Sequence, residues 1–251
     1  MSQNNKIGVL ILAAGKGTRL GCGDRPKVMM EIGGKPILSY IIQTLAEAGF
    51  EKNQIALVVG FQKEKVMEYF GKDFIYAYQE QQLGTAHAAW TGMQSLPKNL
   101  EQVLIMNGDD SAFYSTEVLQ DFIKKHSDNE ATLSVLTAEV GDSAQLGRVI
   151  RDSDGNFIKV LEKEELNEEE KKIKEINTGT YLVDRKWFEN IFPKMSAVSG
   201  LGEYGMNTTV KMAVQDKKKV LAIPIQDDDR WFGINNQEEL EKANQRKYAN
   251  R

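Results

Sequence analysis

Short apolar runs alternate with segments whose apolar residues recur at helical spacing over the first 140 positions of the chain. Residues 7–12 are continuously apolar and predict a buried strand, as do 55–59 and 103–106; 74–78 and 132–138 predict two more. Between them, Ile37, Leu38, Ile41, Ile42 and Leu45 mark a helix that follows the break Gly33-Gly34-Lys35-Pro36 and stops at Gly49. Val66, Met67 and Phe70 give one apolar face to a helix over 63–70, and further helices are predicted over 84–94 and 115–125. Strands separated by amphipathic helices pair in parallel, with helices covering both faces of the sheet. The prediction is an α/β chain built on a Rossmann-like, open, mostly parallel sheet.

The pattern changes near Gly147. Residues 149–161 alternate around Asp154-Gly155, a hairpin signal. Residues 162–174 are highly charged and predict a helix whose acidic and basic side chains face water. A strand over 178–183, a short helix over 186–192, a loop marked by Gly200, Gly202 and Gly205, a helix over 208–215 and a strand over 220–225 follow. A charged helix over 237–250 comes last. Without repeats or a disordered linker, the reading is one domain over 1–235 with a small antiparallel extension, followed by a C-terminal helix over 236–251.

Composition narrows the partners. The 251 residues are 41% hydrophobic and 27% charged, as in a globular protein, and carry a net charge of -4 with a pI near 5.5. Such a balance argues against a general nucleic-acid or membrane-surface binder. No apolar run is long enough to span a bilayer. Residues 1–6 lack the apolar core of a signal peptide, so the cytoplasm is the expected location. The single cysteine, Cys22, has no internal disulfide partner and reads as an incidental thiol.

Against this acidic background, a local basic cluster stands out. The predicted strand over 7–12 runs into Ala13-Ala14-Gly15-Lys16-Gly17-Thr18-Arg19-Leu20, and Arg25-Pro26-Lys27 follows. Glycines let backbone N–H groups approach a ligand closely, and Arg19, Arg25 and Lys27 supply cations, so the stretch reads as a phosphate cradle. It fits neither the Walker spacing, because Gly15 and Gly17 stand only two apart, nor the dinucleotide fingerprint, because Leu20 takes the place of the third glycine. Ligands of open α/β sheets gather at the carboxyl ends of strands. Residues 12–27, 79–85 and 107–110 all fall at such ends.

The cradle motif and Pro26-Lys27 resemble the signature of sugar-1-phosphate nucleotidylyltransferases. Gln82-Leu83-Gly84-Thr85-Ala86-His87-Ala88, Asn107-Gly108-Asp109, Gly147-Arg148, Glu175-Ile176-Asn177-Thr178-Gly179 and Gly233-Ile234-Asn235 extend the resemblance in order. Together they are most similar to the uridylyltransferase half of the bacterial bifunctional N-acetylglucosamine-1-phosphate uridylyltransferases, over about residues 7–235; the hexapeptide-repeat acetyltransferase half has no counterpart here. The resemblance implies a nucleotide-diphospho-sugar transferase fold and small-molecule substrates, a nucleoside triphosphate and a sugar 1-phosphate. It leaves a homo-oligomer open.

By that resemblance, Arg19 and Lys27 neutralise the triphosphate and the charge developing at the reacting centre. Leu12, Ala13, Ala14 and Gly15 hold the nucleotide through the backbone, with Gln79, Gly84 and Thr85 reading the base. Asp109 and Asn235 bind Mg2+. Gly147, Glu162 and Asn177 hold the sugar. A sugar phosphate is already ionised at neutral pH, so alignment and charge neutralisation are the catalysis and no protein base is needed. Asp227-Asp228-Asp229 is a rival metal site but reads as a solvated loop, Asp110 as a turn or cap residue, and His87, Trp187 and Trp231 as packing residues.

Departures sit on the sugar side. Asn107 stands where the family has a tyrosine, Leu146 where it has an aromatic residue, and Gly205 where a tyrosine follows Glu-Tyr. The expectation is a uridylyltransferase that uses UTP and takes N-acetylglucosamine 1-phosphate or a related hexose 1-phosphate, the departures leaving the sugar open. The alternatives are a glucose- or other hexose-1-phosphate uridylyl- or thymidylyltransferase, and a nucleotide-sugar sensor without turnover. A dinucleotide-dependent oxidoreductase lacks its acidic ribose ligand.

Overall fold

The strand β1 (Ile7–Ala13) pairs in parallel on both edges, with β4 (Ile55–Val59) and β6 (Gln102–Asn107), and all its residues but Leu12 are buried. This computed structural model describes residues 3–249 except 22, 142, 144, 145, 198–201 and 227–229, and leaves the side chains of Gln3 and Arg19 undescribed. Beyond β4 lies β5 (Ile75–Tyr78), also parallel. Beyond β6 comes β10 (Glu175–Asp184), antiparallel to both β6 and β7 (Leu133–Glu139), and β11 (Val220–Pro224) runs parallel to β7 at the far edge. Strands β8 (Arg148–Arg151) and β9 (Phe157–Leu161) form the predicted hairpin, attached through β8 to β10. A pair of two-residue strands, β2 (Glu31–Ile32) and β3 (Lys35–Pro36), completes the set.

Side-chain alternation along the strands builds two cores. Val9, Ile11, Leu57 and Leu104 face α1 (Ile37–Glu47), α2 (Lys63–Phe70) and α4 (Thr116–Asp128), which contribute Leu38, Val66 and Phe122. Leu10, Ala56, Val103 and Ile105 face α3 (Thr85–Ser95), α5 (Arg185–Ile191) and α6 (Met206–Gln215), which contribute Met93, Phe188 and Val210. Each of the larger of these side chains taken from water stabilises by about 1.5–3 kcal/mol. Arg185 is buried on the second face and donates to the carbonyls of Met93 (2.9 Å) and Pro97 (2.5 Å), satisfying the C-terminal end of α3. Trp187 and Trp231 are core residues, as expected.

A third cluster seats the helix α7 (Gln237–Ala249) on the phosphate-loop region: Ala243 packs with Leu20, Ile32, Phe113 and Ile234. The Lys247 ammonium lies 4.1 and 4.3 Å from the rings of Tyr40 and Phe113 and donates to the Ala112 carbonyl at 2.7 Å. Among the described residues no helix is long and apolar enough to cross a membrane.

The structure departs from the sequence reading at residues 162–174. In place of one charged helix there are two 3-10 turns, Lys163–Glu165 and Glu170–Lys172. Leu166 and Ile173, seven positions apart, give the segment too little apolar face to dock a helix. Polar side chains take its backbone donors instead: Asn167 Oδ1 accepts from the N–H of Glu169 and Glu170, and Glu165 accepts from that of Glu162. The antiparallel part is also larger than an appended hairpin, since β10 runs through the middle of the main sheet.

Candidate active site

The carboxyl ends of β1, β5, β6 and β9 open onto one cleft of about 920 Å3. Ten of the residues singled out from sequence line it: Leu12, Ala13, Ala14 and Gly15, Lys27, Gln79, Gly84 and Thr85, Asp109, and Glu162. Gly147, Asn177 and Asn235 do not line it, but each stands against a residue that does. Arg19 falls in a 3-10 turn, Thr18–Leu20, and its side chain lies outside the described set.

On the nucleotide side, Gln79 is buried rather than solvated, at 4% exposure. Its backbone N–H continues β5 onto Val59 at 2.9 Å, while its side-chain amide nitrogen lies 3.1 Å from the Gly84 carbonyl and 3.0 Å from His87 Nδ1. Gln82 Nε2 donates to the Ala14 carbonyl at 2.6 Å, tying this loop to the cradle. Gly84 has φ +95°, and a Cβ there would stand 2.6 Å from the Tyr204 carbonyl oxygen, so only glycine fits. That closeness has a purpose: the Tyr204 N–H donates to Leu83, the Ala86 N–H donates to Tyr204, and the Met206 N–H donates to Thr85 Oγ1 at 3.0 Å. The loop over 83–86 and the start of α6 are therefore laced together.

At the centre, Lys27 Nζ is held by Asp109 Oδ2 and donates to Asn235 Oδ1 at 3.1 Å. The residues come from three separated parts of the chain. The Lys27 and Asp109 side chains are only 12% and 21% exposed, so little solvent screens them. Two hard oxygens, one charged, thus flank a position that a cation fills, a donor set suited to a small divalent ion that keeps phosphates and waters as its other ligands. The described residues contain no cluster of three or more His, Cys, Asp or Glu groups that would rival it; Asp227–Asp229 lie outside them. Asp110 lies in a turn, and burial first, and the Asp109 charge second, push its carboxyl up to about 7.

Helix α7 fixes Asn235. Its Glu239 carboxylate accepts from the Asn235 N–H at 2.5 Å, Asn236 Oδ1 accepts from the Glu239 N–H at 2.9 Å, and Gln237 Nε2 donates to the Leu20 carbonyl. Burial, with Arg246 and Arg230 nearby, lowers Lys247 to about 8.

On the sugar side, Glu162 Oε1 accepts from Asn207 Nδ2 at 2.6 Å, and Asn207 Oδ1 accepts from Asn177 Nδ2 at 2.6 Å and from Tyr181 Oη at 3.3 Å. A bulge between Asn177 and Thr180 turns β10 here, and Gly179, at φ +77°, leaves room for Asn107, whose amide would lie 2.2 Å from a Cβ. Gly147 is pressed against Glu162, since a Cβ on it would be 2.8 Å from the Leu161 carbonyl and 3.6 Å from Glu162 Oε2. Asn207 is a cleft residue that sequence reasoning missed. Its motif drew notice only for Gly205, and no spacing links position 207 to position 162. Of the three departures, Asn107 and Gly205 line the cleft, whereas Leu146 packs against the core.

An open α/β sheet whose carboxyl-end cleft brings together a glycine loop, the buried Gln79 amide and Lys27 between Asp109 and Asn235 fits a nucleotidyl-transferring enzyme. The nucleotidyl transferase family model matches residues 8–249, and the chain belongs to that family, as a sugar-1-phosphate nucleotidyltransferase. It is 37% identical to the bifunctional protein GlmU of Carboxydothermus hydrogenoformans, over 92% of this chain and 50% of that protein. It is 31% identical to GlmU of Desulfotalea psychrophila, over 98% and 71% respectively. The chain thus spans about half the length of several of the curated relatives it matches. Among solved structures, a Bacillus anthracis protein described as a glucose-1-phosphate thymidylyltransferase shares the fold with a TM-score of 0.78 at 20% identity, covering 96% of this chain and 95% of its own.

Proposed function

We propose that the protein transfers a uridylyl group from UTP to a hexose 1-phosphate, N-acetylglucosamine 1-phosphate or a close relative, giving a UDP-sugar and pyrophosphate. A phosphate oxygen of the sugar attacks the α-phosphorus in line; the new P–O bond forms as the bond to pyrophosphate breaks, and no proton need move at neutral pH. Lys27 neutralises the phosphates at the reacting centre, and Arg19 is assigned to the triphosphate. Mg2+ on Asp109 and Asn235, when bound, supplies further charge neutralisation at the α-phosphate. Leu12, Ala13, Ala14 and Gly15 hold the nucleotide through backbone groups, and Gln79, Gly84 and Thr85 form the base wall. Glu162, with Gly147 and Asn177 behind it, offers the sugar hydroxyls an acceptor. Residues 1–235 carry these groups, and the helix over 236–251 braces Asn235.

The carrying observation is that Lys27 and Asp109 meet in the cleft that Gln79 and Glu162 also line, with Asn235 hydrogen-bonded to Lys27 from behind. A second reading concerns the sugar. Asn107 and Gly205 line the cleft, which favours a hexose 1-phosphate that needs no aromatic wall.

The test measures pyrophosphate release with Mg2+ for each nucleoside triphosphate against a panel of sugar 1-phosphates. UTP should lead. Release with N-acetylglucosamine 1-phosphate alone refutes the altered-sugar reading, and no release with any pair leaves only a sensor. Asp109→Ala should lower kcat by about 100- to 1,000-fold, the scale of losing one preorganised electrostatic contact.

A further inference from the structure

We propose that His87 is the positioning residue that sets which base the cleft accepts, by fixing the orientation of the Gln79 side-chain amide. The proposal deepens the uridylyl reading and rests on it. The Gly84 carbonyl can only accept a hydrogen bond. The atom of the Gln79 amide 3.1 Å from it is therefore the nitrogen, because an oxygen there would set two acceptors face to face. That nitrogen has one N–H left, and His87 Nδ1 lies 3.0 Å away. Nδ1 must then accept, so the imidazole is neutral with its proton on Nε2.

The surroundings hold that state. The α3 backbone carries the ring, with Thr91 Oγ1 donating to the His87 carbonyl at 2.9 Å and the Phe192 ring 6.4 Å away. Partial burial lowers the imidazole below its ordinary value, which keeps it uncharged at neutral pH.

Both N–H bonds of Gln79 are thereby committed away from substrate. Its carbonyl oxygen is what remains to offer the cleft that Gln79 lines, and no donor among the described residues takes it. A fixed acceptor at the base wall selects a pyrimidine whose N3 carries a hydrogen, the imide face of uracil or thymine. Cytosine presents an unprotonated N3 and sets acceptor against acceptor. Gly84 alone leaves one N–H of a buried amide unpaired, and the amide then turns more freely.

The test is a competition between UTP and CTP with the preferred sugar 1-phosphate, which reads selectivity independently of how much protein is correctly folded. In His87→Ala the KM for UTP should rise about tenfold, the worth of one hydrogen bond, with kcat falling less than threefold and the UTP-to-CTP preference falling about tenfold. His87→Asn, whose Oδ1 can stand where Nδ1 stood, should recover most of the preference. An unchanged preference in His87→Ala, or equal losses in the Ala and Asn variants, overturns the positioning role. Gln79→Ala separates the two levels. If it leaves the KM for UTP and the preference unchanged, Gln79 is not the base reader; if it abolishes the preference while His87→Ala does not, only the role given to His87 fails.

Discussion

His126 should make the fold lose stability in acid by a calculable amount. It lies in the last turn of α4 with its side chain fully buried, Nδ1 2.7 Å from Ser134 Oγ and Nε2 without a partner among the described residues. Charging the ring buries an unpaired N–H in apolar surroundings, and this desolvation lowers its value from 6.5 to about 4. The folded chain therefore takes up the proton later than the unfolded chain as pH falls. Because the unfolded state binds more protons, stability is whole above pH 6.5 and is lost as pH drops through 6.5 toward 4, at up to about 1.4 kcal/mol per unit. Between pH 7 and pH 4.5 the loss from this group is about 2.5 kcal/mol. The perturbation is His126→Asn, which keeps a polar atom toward Ser134 but cannot titrate. Urea unfolding followed by circular dichroism at the two pH values gives four stabilities, and their double difference isolates His126 from every other titrating group. With a urea slope of about 3 kcal/mol per molar for a chain of this size, the wild type should lose roughly 0.8 M more in midpoint than the variant. Equal losses in the two proteins, within about 0.5 kcal/mol, would refute the reasoning.

Three further outcomes follow from particular contacts. Gly84→Ala meets both a positive φ and the Tyr204 carbonyl, so it should cost about 2 kcal/mol or more in unfolding free energy and raise the KM for the nucleotide. Asn207→Ala should raise the KM for the sugar 1-phosphate about tenfold in steady-state assays while leaving that for the nucleotide within twofold, because it removes the side-chain link between Glu162 and Asn177, and Asn207 makes no hydrogen bond to Gln79, Gly84 or Thr85. Arg185→Met strips the end of α3 of its donors and leaves Glu189 unpaired; calorimetry should show a loss of about 3 kcal/mol or more, with kcat of the folded enzyme within twofold of wild type.

The parallel half of the sheet is legible in the sequence because its strands are buried on both faces and read as continuous apolar runs: the run 55–59 coincides with β4, and the run 7–12 with all of β1 but Ala13. That residues 12–15, Gln79, Gly84 and Thr85 share one cleft was legible because they follow those strands locally. Asn207 was not, since its meaning comes from Glu162 and Asn177, brought to it by the β10 bulge and by the loop laced to Gly84, neither of which leaves a periodic trace. The segment 162–174 misled for a related reason. Charged residues with high helix propensity signal a helix, but propensity without an apolar face yields to local side-chain capping.

The place of β10 in the sheet also sets the order in which the molecule can be assembled. Strand β7 is synthesised directly after the β6–α4 unit, yet it does not pair with β6; it joins the sheet only through β10, whose last residue follows its own by roughly 45 positions. At a translation rate of ~5–20 residues per second, β7 waits some 2–9 s with Leu133 and Val135 lacking the partner that covers their edge. A nascent chain stalled in that interval presents an apolar strand edge to its neighbours. Folding yield during synthesis, more than the stability of the finished enzyme, is therefore where substitutions in β10 should first be felt.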